Sequence, residues 1–205
     1  LPFPMFATIM SVGSAGIFWW LLRPLKRDVA IPLIVACSVE YVAGNIFALL
    51  ALAAAMSLRR PGWWGPVLIT KVTSGFVAML WYLVRGQVRA LARSLFPTGF
   101  AFVVSALLAP GLWTEWLQFL VRNGPSAIQP ASIGVSLVPG LVVRLPMAVL
   151  LIVWGARRGR SWTIPAAVCL ATPVVGFAAL TILTAVPRLR SESTDTSSSE
   201  SGITP

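Results

Sequence analysis

Histidine is absent from these 205 residues. That removes the commonest general base near neutral pH and the usual ligand for transition metals. Carboxylates are scarce as well: only Asp28, Glu40 and Glu115 precede the C-terminal tail. The two cysteines, Cys37 and Cys169, sit far apart in apolar runs, so no disulfide framework or metal-ligand spacing exists. There is no glycine-rich phosphate loop, no DxD-like acidic pair, no HExxH and no CxxC. Nucleotide-dependent soluble transferase chemistry is therefore not expected, nor is a metal or another cofactor. Charge of either sign makes up only 11% of the chain, against about 25% in a soluble domain.

Hydrophobic residues fill that space. They make up 57% of the chain, and mean hydropathy is +0.84. So little charge cannot cover a water-soluble surface, and the composition predicts an all-α, polytopic membrane helical bundle. The chain opens on Leu1, and no basic stretch precedes the apolar run Leu1–Leu22. That run does not read as a signal peptide, and the chain is expected to be a fragment whose N-terminal part is missing.

The net charge of +10 is punctuation between apolar runs. Basic residues cluster at Arg23, Lys26 and Arg27; at Arg59 and Arg60; at Arg85, Arg89 and Arg93; at Arg157, Arg158 and Arg160; and at Arg188 and Arg190. Such clusters mark cytoplasmic loops and suit anionic headgroups. Membrane lipids are the expected partners, and nucleic acid is not.

If every cluster is cytoplasmic, each apolar interval between clusters crosses an even number of times. Three intervals, 29–58, 61–84 and 161–187, are interrupted by polar steps at Glu40 to Asn45, at Thr70 to Gly75 and at Thr172-Pro173. Each half is about 10–15 residues, or roughly 15–22 Å of helix, short of a hydrocarbon core of about 30 Å. Short hairpin helices follow, with backbone breaks that only surrounding protein or a water-filled cavity tolerates. One full crossing per interval is the alternative, and it places alternate clusters outside. The interval 94–156 is long enough for two spans, near 94–110 and 138–154. Between them Trp113, Trp116, Leu117 and Leu120 share one helical face, and Glu115, Gln118 and Arg122 the other. That pattern predicts one interfacial helix. Residues 1–187 then form the membrane domain, and 188–205 a disordered polar tail.

Lys71 stands in an otherwise nearly uncharged segment, beside Thr70, Thr73 and Ser74. An intramembrane charge costs about 2.5–3.5 kcal/mol on insertion scales, so it marks a functional position by default. A lysine ringed by hydroxyls suits a phosphate group; the alternative is that Lys71 snorkels and only anchors its helix. Glu40 and Asn45 form a second polar cluster, either joining two helices or acting in catalysis. Arg144 either contacts an anionic substrate or caps its span.

The stretch from Tyr41 to Leu120 resembles the polyprenol-phosphate-sugar-dependent glycosyltransferases of GT-C type, and within them the bacterial alpha-mannosyltransferase-like branch. The likeness rests on Gly44-Asn45-Ile46 before an apolar run, on a basic-Pro turn, and on the hairpin step Thr70-Lys71 with Thr73 and Ser74. Trp113, Trp116 and Leu117 follow, then Gln129, Ser132, Gly140 and Arg144 in a looser outer loop, and Thr172-Pro173 without the family's tryptophan. The resemblance covers roughly residues 30–188, and motif order carries it. It implies a multi-pass enzyme of the bacterial cell membrane, a hexosyltransferase that moves a sugar, typically mannose, from a polyprenyl-phosphate donor to a lipid or glycan acceptor at the outer face. It places the general base on an aspartate of a first external loop, which these residues do not contain. It also makes Lys71, with Thr70, Thr73, Ser74 and Arg144, the candidates for donor-phosphate binding. A membrane transporter and a non-catalytic membrane scaffold are the other two classes left open.

Overall fold

The computed structural model describes residues 3–38, 40, 46–127, 140–173 and 177–191. These residues are helical throughout, with no strand among them. Asn45, Gln129, Ser132 and most of the outer loop lie outside them.

Helix α1 (Phe3–Leu22) is a run of twenty uncharged residues that stops where Arg23-Pro24 removes the next backbone donor. α2 (Arg27–Ala36) starts with Asp28 in its first turn, where a carboxylate suits the helix dipole. α3 (Phe47–Met56) is rich in alanine, and Phe47, Ala48, Leu50, Ala51, Ala53, Ala54 and Ala55 are all buried. A 3-10 turn, Pro61–Trp63, opens on a proline and leads into α4 (Trp64–Thr70) and α5 (Val72–Val84). α6 (Val88–Leu108) and α7 (Pro110–Ala127) follow, then α8 (Leu141–Arg157), α9 (Thr163–Leu170) and α10 (Phe177–Leu180). A second 3-10 turn, Thr181–Thr184, runs into a final helix, α11, over 185–191.

Among the described residues only α1 (from Pro4) and α6 are long and apolar enough to cross a membrane. The rest of the bundle is built from shorter pieces. α5 packs between α8 and α9, α3 packs on α1 and on the 181–184 turn, and α4 packs on α5 and α6. Small residues permit these approaches, as expected where helices pack without a hydrophobic driving force between them. At Gly75 an added Cβ would lie 2.7 Å from Cδ2 of Leu68, and at Gly65 it would lie 2.7 Å from Cβ of Pro97.

α5 and α8 end in the same way. Gly86 (φ 64) and Gly159 (φ 67) adopt the left-handed conformation. Beyond them, Gln87 N–H donates to the Tyr82 carbonyl at 2.9 Å and Arg160 N–H to the Gly155 carbonyl at 2.9 Å. These are Schellman terminations, which satisfy the last carbonyls of each helix. Both lie within arginine clusters, so the basic turns are sharply formed.

The basic clusters meet at one end of the bundle. Arg85 Nη1 donates to the Ala156 carbonyl at 3.5 Å, and Ser94 Oγ to the Pro61 carbonyl at 2.9 Å. Arg188 lies over the Trp20 ring at 4.3 Å, and Arg190 over Trp162 at 5.1 Å.

The structure shifts several expected boundaries. The helix expected from about 94 begins at Val88, so Arg89 and Arg93 belong to it. The tail expected from 188 begins later: 188–191 are helical, and Leu189 is buried. Two arginine–tryptophan contacts dock that segment, which its local composition does not reveal. α7 forms over the stretch expected to be the interfacial helix, and Trp116 and Leu117 are exposed. Trp113 instead folds back on α6, with its Nε1 donating to Ser105 Oγ at 3.2 Å and its ring 4.6 Å from that of Phe102.

The tightest close approach joins α8 to α9. A Cβ on Gly155 would collide with the buried Thr163 side chain, at 2.7 Å from its Cβ and Cγ2. Thr163 cannot easily yield, because its hydroxyl donates to the Arg160 carbonyl at 2.8 Å. Gly155→Ala is predicted to cost about 1–3 kcal/mol, read as a lower thermal midpoint in detergent. Gly13→Ala, where an added Cβ meets nothing within 4 Å, should stay within about 0.5 kcal/mol of the parent.

Candidate functional site

Lys71 alone separates α4 from α5, with φ −137 and ψ 77. The local cause lies just before it. The Thr70 hydroxyl donates back to the carbonyls of Pro66 at 2.9 Å and Val67 at 3.3 Å, competing with the main chain for helix acceptors. The main-chain groups of Lys71 itself are nevertheless met. Lys71 N–H donates to the Val67 carbonyl at 2.7 Å, and the Lys71 carbonyl accepts from Gly75 N–H at 3.0 Å.

The lysine side chain turns toward the start of α3. Its Nζ sits 3.8 Å from the centroid of the Phe47 ring. A cation over an aromatic face is worth about 0.5–1 kcal/mol when exposed and about 2 kcal/mol or more when desolvated. Glu40, 0% exposed, meets the same helix start. Its Oε1 accepts from Phe47 N–H at 2.6 Å and from Ala48 N–H at 3.3 Å. Glu40 thereby caps α3, meeting amides that would otherwise be orphaned and the positive end of the helix dipole. Glu40 and Lys71 are close enough for each charge to act on the other, and Phe47 links them through its backbone and its ring.

Two buried oxygens in this region have no hydrogen-bond partner among the described residues: Glu40 Oε2 and Thr73 Oγ1. Thr73 lies in the first turn of α5, two residues beyond Lys71. An unsatisfied buried polar atom costs about 1–3 kcal/mol, so each of the two marks a position suited to a polar ligand or water. The site holds a half-buried ammonium, a buried hydroxyl, and a carboxylate committed largely to helix capping. Chemically, such a set can bind an anion and stabilise negative charge in poorly hydrated surroundings. Among the described residues no cluster of three or more histidine, cysteine or carboxylate groups could hold a metal.

The remaining sequence-derived candidates divide. Ser74 is buried and faces α9, with its hydroxyl 3.4 Å from Thr172 Oγ1 and 3.4 Å from the Val168 carbonyl. Thr70 bonds within its own helix, and the residue is exposed. Arg144, only 6% exposed, belongs to a second arrangement. Its Nη1 donates to the Leu170 carbonyl at 3.1 Å and the Thr172 carbonyl at 2.8 Å, and its Nη2 to the Pro173 carbonyl at 3.0 Å. Arg144 thus closes the break after α9. Glu40, Phe47 and Lys71 form one group, and Arg144, Thr172 and Ser74 the other, with Lys71 just before α5 and Ser74 in its first turn.

Phe47 and Thr172 are the residues that complete these groups. Thr172 is visible in the sequence as a polar interruption. Phe47 carries no local signal, because an aromatic residue opening an apolar helix looks like ordinary core.

The guanidinium of Arg144 serves three carbonyls at and just beyond the end of α9. Arg144→Met should therefore lower stability by at least about 1.5–3 kcal/mol, the scale of hydrogen bonds to charged groups. Thermal unfolding in detergent reads this directly; an unchanged midpoint would show that the α9 break is held by something else.

No protein-family model, curated protein or solved structure matches this chain.

Proposed function

We propose that this chain is the donor-binding part of a multi-pass membrane glycosyltransferase of GT-C type. It would transfer a sugar, typically mannose, from a polyprenyl phosphate to an acceptor at the outer face of a bacterial cell membrane, with Lys71 as the seat of the donor phosphate. The observation that carries this reading is the placement of Lys71: a lone cation at a one-residue helix break, stacked on Phe47, with the partnerless Thr73 hydroxyl in the adjoining turn. Glu40 does not cancel that cation fully, because the N-terminus of α3 shares the carboxylate.

The arrangement of the breaks supports a membrane topology of paired short helices. The breaks at Lys71 and Thr172 are joined through Ser74, and the start of α3 is joined to Lys71. The basic clusters gather at the other end of α5. The thirteen residues of α5 separate these layers by about 20 Å, less than a hydrocarbon core of about 30 Å. Basic turns on the cytoplasmic side would then leave the Lys71 layer inside the membrane profile, toward its outer half.

In the reaction, an acceptor hydroxyl attacks the anomeric carbon and the bond from that carbon to the phosphate oxygen breaks. The bonding pair stays on the phosphate, and the acceptor proton passes to a base that the resemblance places on an external aspartate. The Lys71 ammonium faces the charge that grows on the leaving phosphate. Such stabilisation is worth far more in a dry site than in water.

The test uses the full-length protein in membrane vesicles supplied with labelled polyprenyl-phosphate-mannose. Lys71→Met should reduce turnover by at least about 100-fold, the loss typical of removing one charge-stabilising donor, with membrane insertion unchanged. Lys71→Arg should recover part of the rate. Unchanged turnover in Lys71→Met rejects the assignment.

A further inference from the structure

At the basic end of the bundle, away from Lys71, a cleft of about 540 Å³ opens between the end of α3, the Pro61 turn and the start of α6. Hydrogen bonds make its walls rigid. The Tyr82 hydroxyl donates to the Ser57 carbonyl at 2.8 Å, Ser94 Oγ to the Pro61 carbonyl at 2.9 Å, and Gln87 N–H to the Tyr82 carbonyl at 2.9 Å. Arg89 and Arg93 both line it, one helical turn apart on the same face. Neither has a hydrogen-bond or ion-pair partner among the described residues. The start of α6 lines the cleft as well, and it carries no side-chain cap. The N–H of Leu91 is met by the Gln87 carbonyl at 3.0 Å, whereas those of Arg89 and Ala90 have no acceptor among the described residues.

Two unpaired guanidinium groups, an uncapped helix start and a concavity converge on one chemistry. A phosphate oxygen group is planar-fork compatible with arginine and accepts amide hydrogens at a helix start. Position selects the source. α6 is one of two helices among the described residues long and apolar enough to cross a membrane, and the cleft lies in its first turns, where a helix that crosses would meet lipid headgroups. Basic hollows between membrane helices on the cytoplasmic side take anionic lipid headgroups.

We propose that this cleft binds the phosphodiester headgroup of an anionic glycerophospholipid, held by Arg89 and Arg93. The proposal is independent of the glycosyltransferase reading, since it concerns the opposite end of the bundle and residues with no part in donor binding.

Lipid adducts of the full chain, purified in an uncharged detergent, can be titrated by native mass spectrometry. The probes are phosphatidylglycerol, phosphatidylcholine and inorganic phosphate. Phosphatidylglycerol should bind at least about tenfold more tightly than phosphatidylcholine, and Arg89→Gln with Arg93→Gln should remove about tenfold of that affinity. Both side chains are exposed, so the pair should leave the thermal midpoint in place. If the midpoint falls, the two single variants carry the test, each with a smaller loss. Arg157→Gln with Arg158→Gln, a neighbouring basic pair outside the cleft, should leave binding unchanged. Wild-type affinity in the Arg89/Arg93 variant overturns the proposal, as does an equal loss in the Arg157/Arg158 control. Inorganic phosphate binding as tightly as the lipid overturns the lipid assignment and makes this a site for the free anion.

Discussion

The short helices of this bundle stop in the middle of apolar surroundings, and the backbone groups freed at each stop must find partners there. A buried backbone group left unmet costs about 1–3 kcal/mol. Charged side chains answer this need at two places. Glu40 takes the first amides of α3, and Arg144 takes the carbonyls left after α9. At the third break backbone groups meet the N–H and carbonyl of Lys71 itself, and the lysine side chain lies on the Phe47 ring instead of serving the main chain. That difference separates a residue that holds the fold from one able to meet a ligand.

Small residues allow these breaks to be close together. Alanines of α3 are buried along nearly its whole length, and glycines at 65, 75 and 155 let neighbouring chains approach to contact distances a Cβ would forbid. The result brings the start of α3, the α4–α5 break and the end of α9 together around α5. At the opposite end, two Schellman turns and a set of arginine–tryptophan contacts gather the basic clusters. The bundle therefore has two polar layers of different character. One is partly buried and holds charges of both signs; the other is basic and open.

Much of the architecture was legible in the residues. The polar interruptions at Thr70–Gly75 and at Thr172-Pro173 hold breaks in the structure, and α5 has the length expected, whereas α4 and α9, at 7 and 8 residues, are shorter. The helix around Trp116 forms as its periodicity predicts. Local pattern failed where docking at a distance decides the outcome. Residues 188–191 read as the start of a polar tail, yet Arg188 and Arg190 stack on Trp20 and Trp162. Trp113 reads as part of a lipid-facing stripe, yet Ser105 and Phe102 hold it on α6.

Composition and periodicity by themselves determined that this chain is helical and where its charges interrupt apolar runs; of the two full spans they place near 94–110 and 138–154, only the first matches a described helix long and apolar enough to cross a membrane, α6, and the other such helix is α1. These are properties of near neighbours, fixed by the spacing of side chains and the cost of a charge in an apolar segment. The tertiary structure alone decided what each charge does. Arg144 meets Thr172 across 28 positions, and Ser74 meets the same residue across 98. Such partners are chosen by how helices pack, and nothing in a short window of sequence encodes which carbonyl or ring will lie within reach.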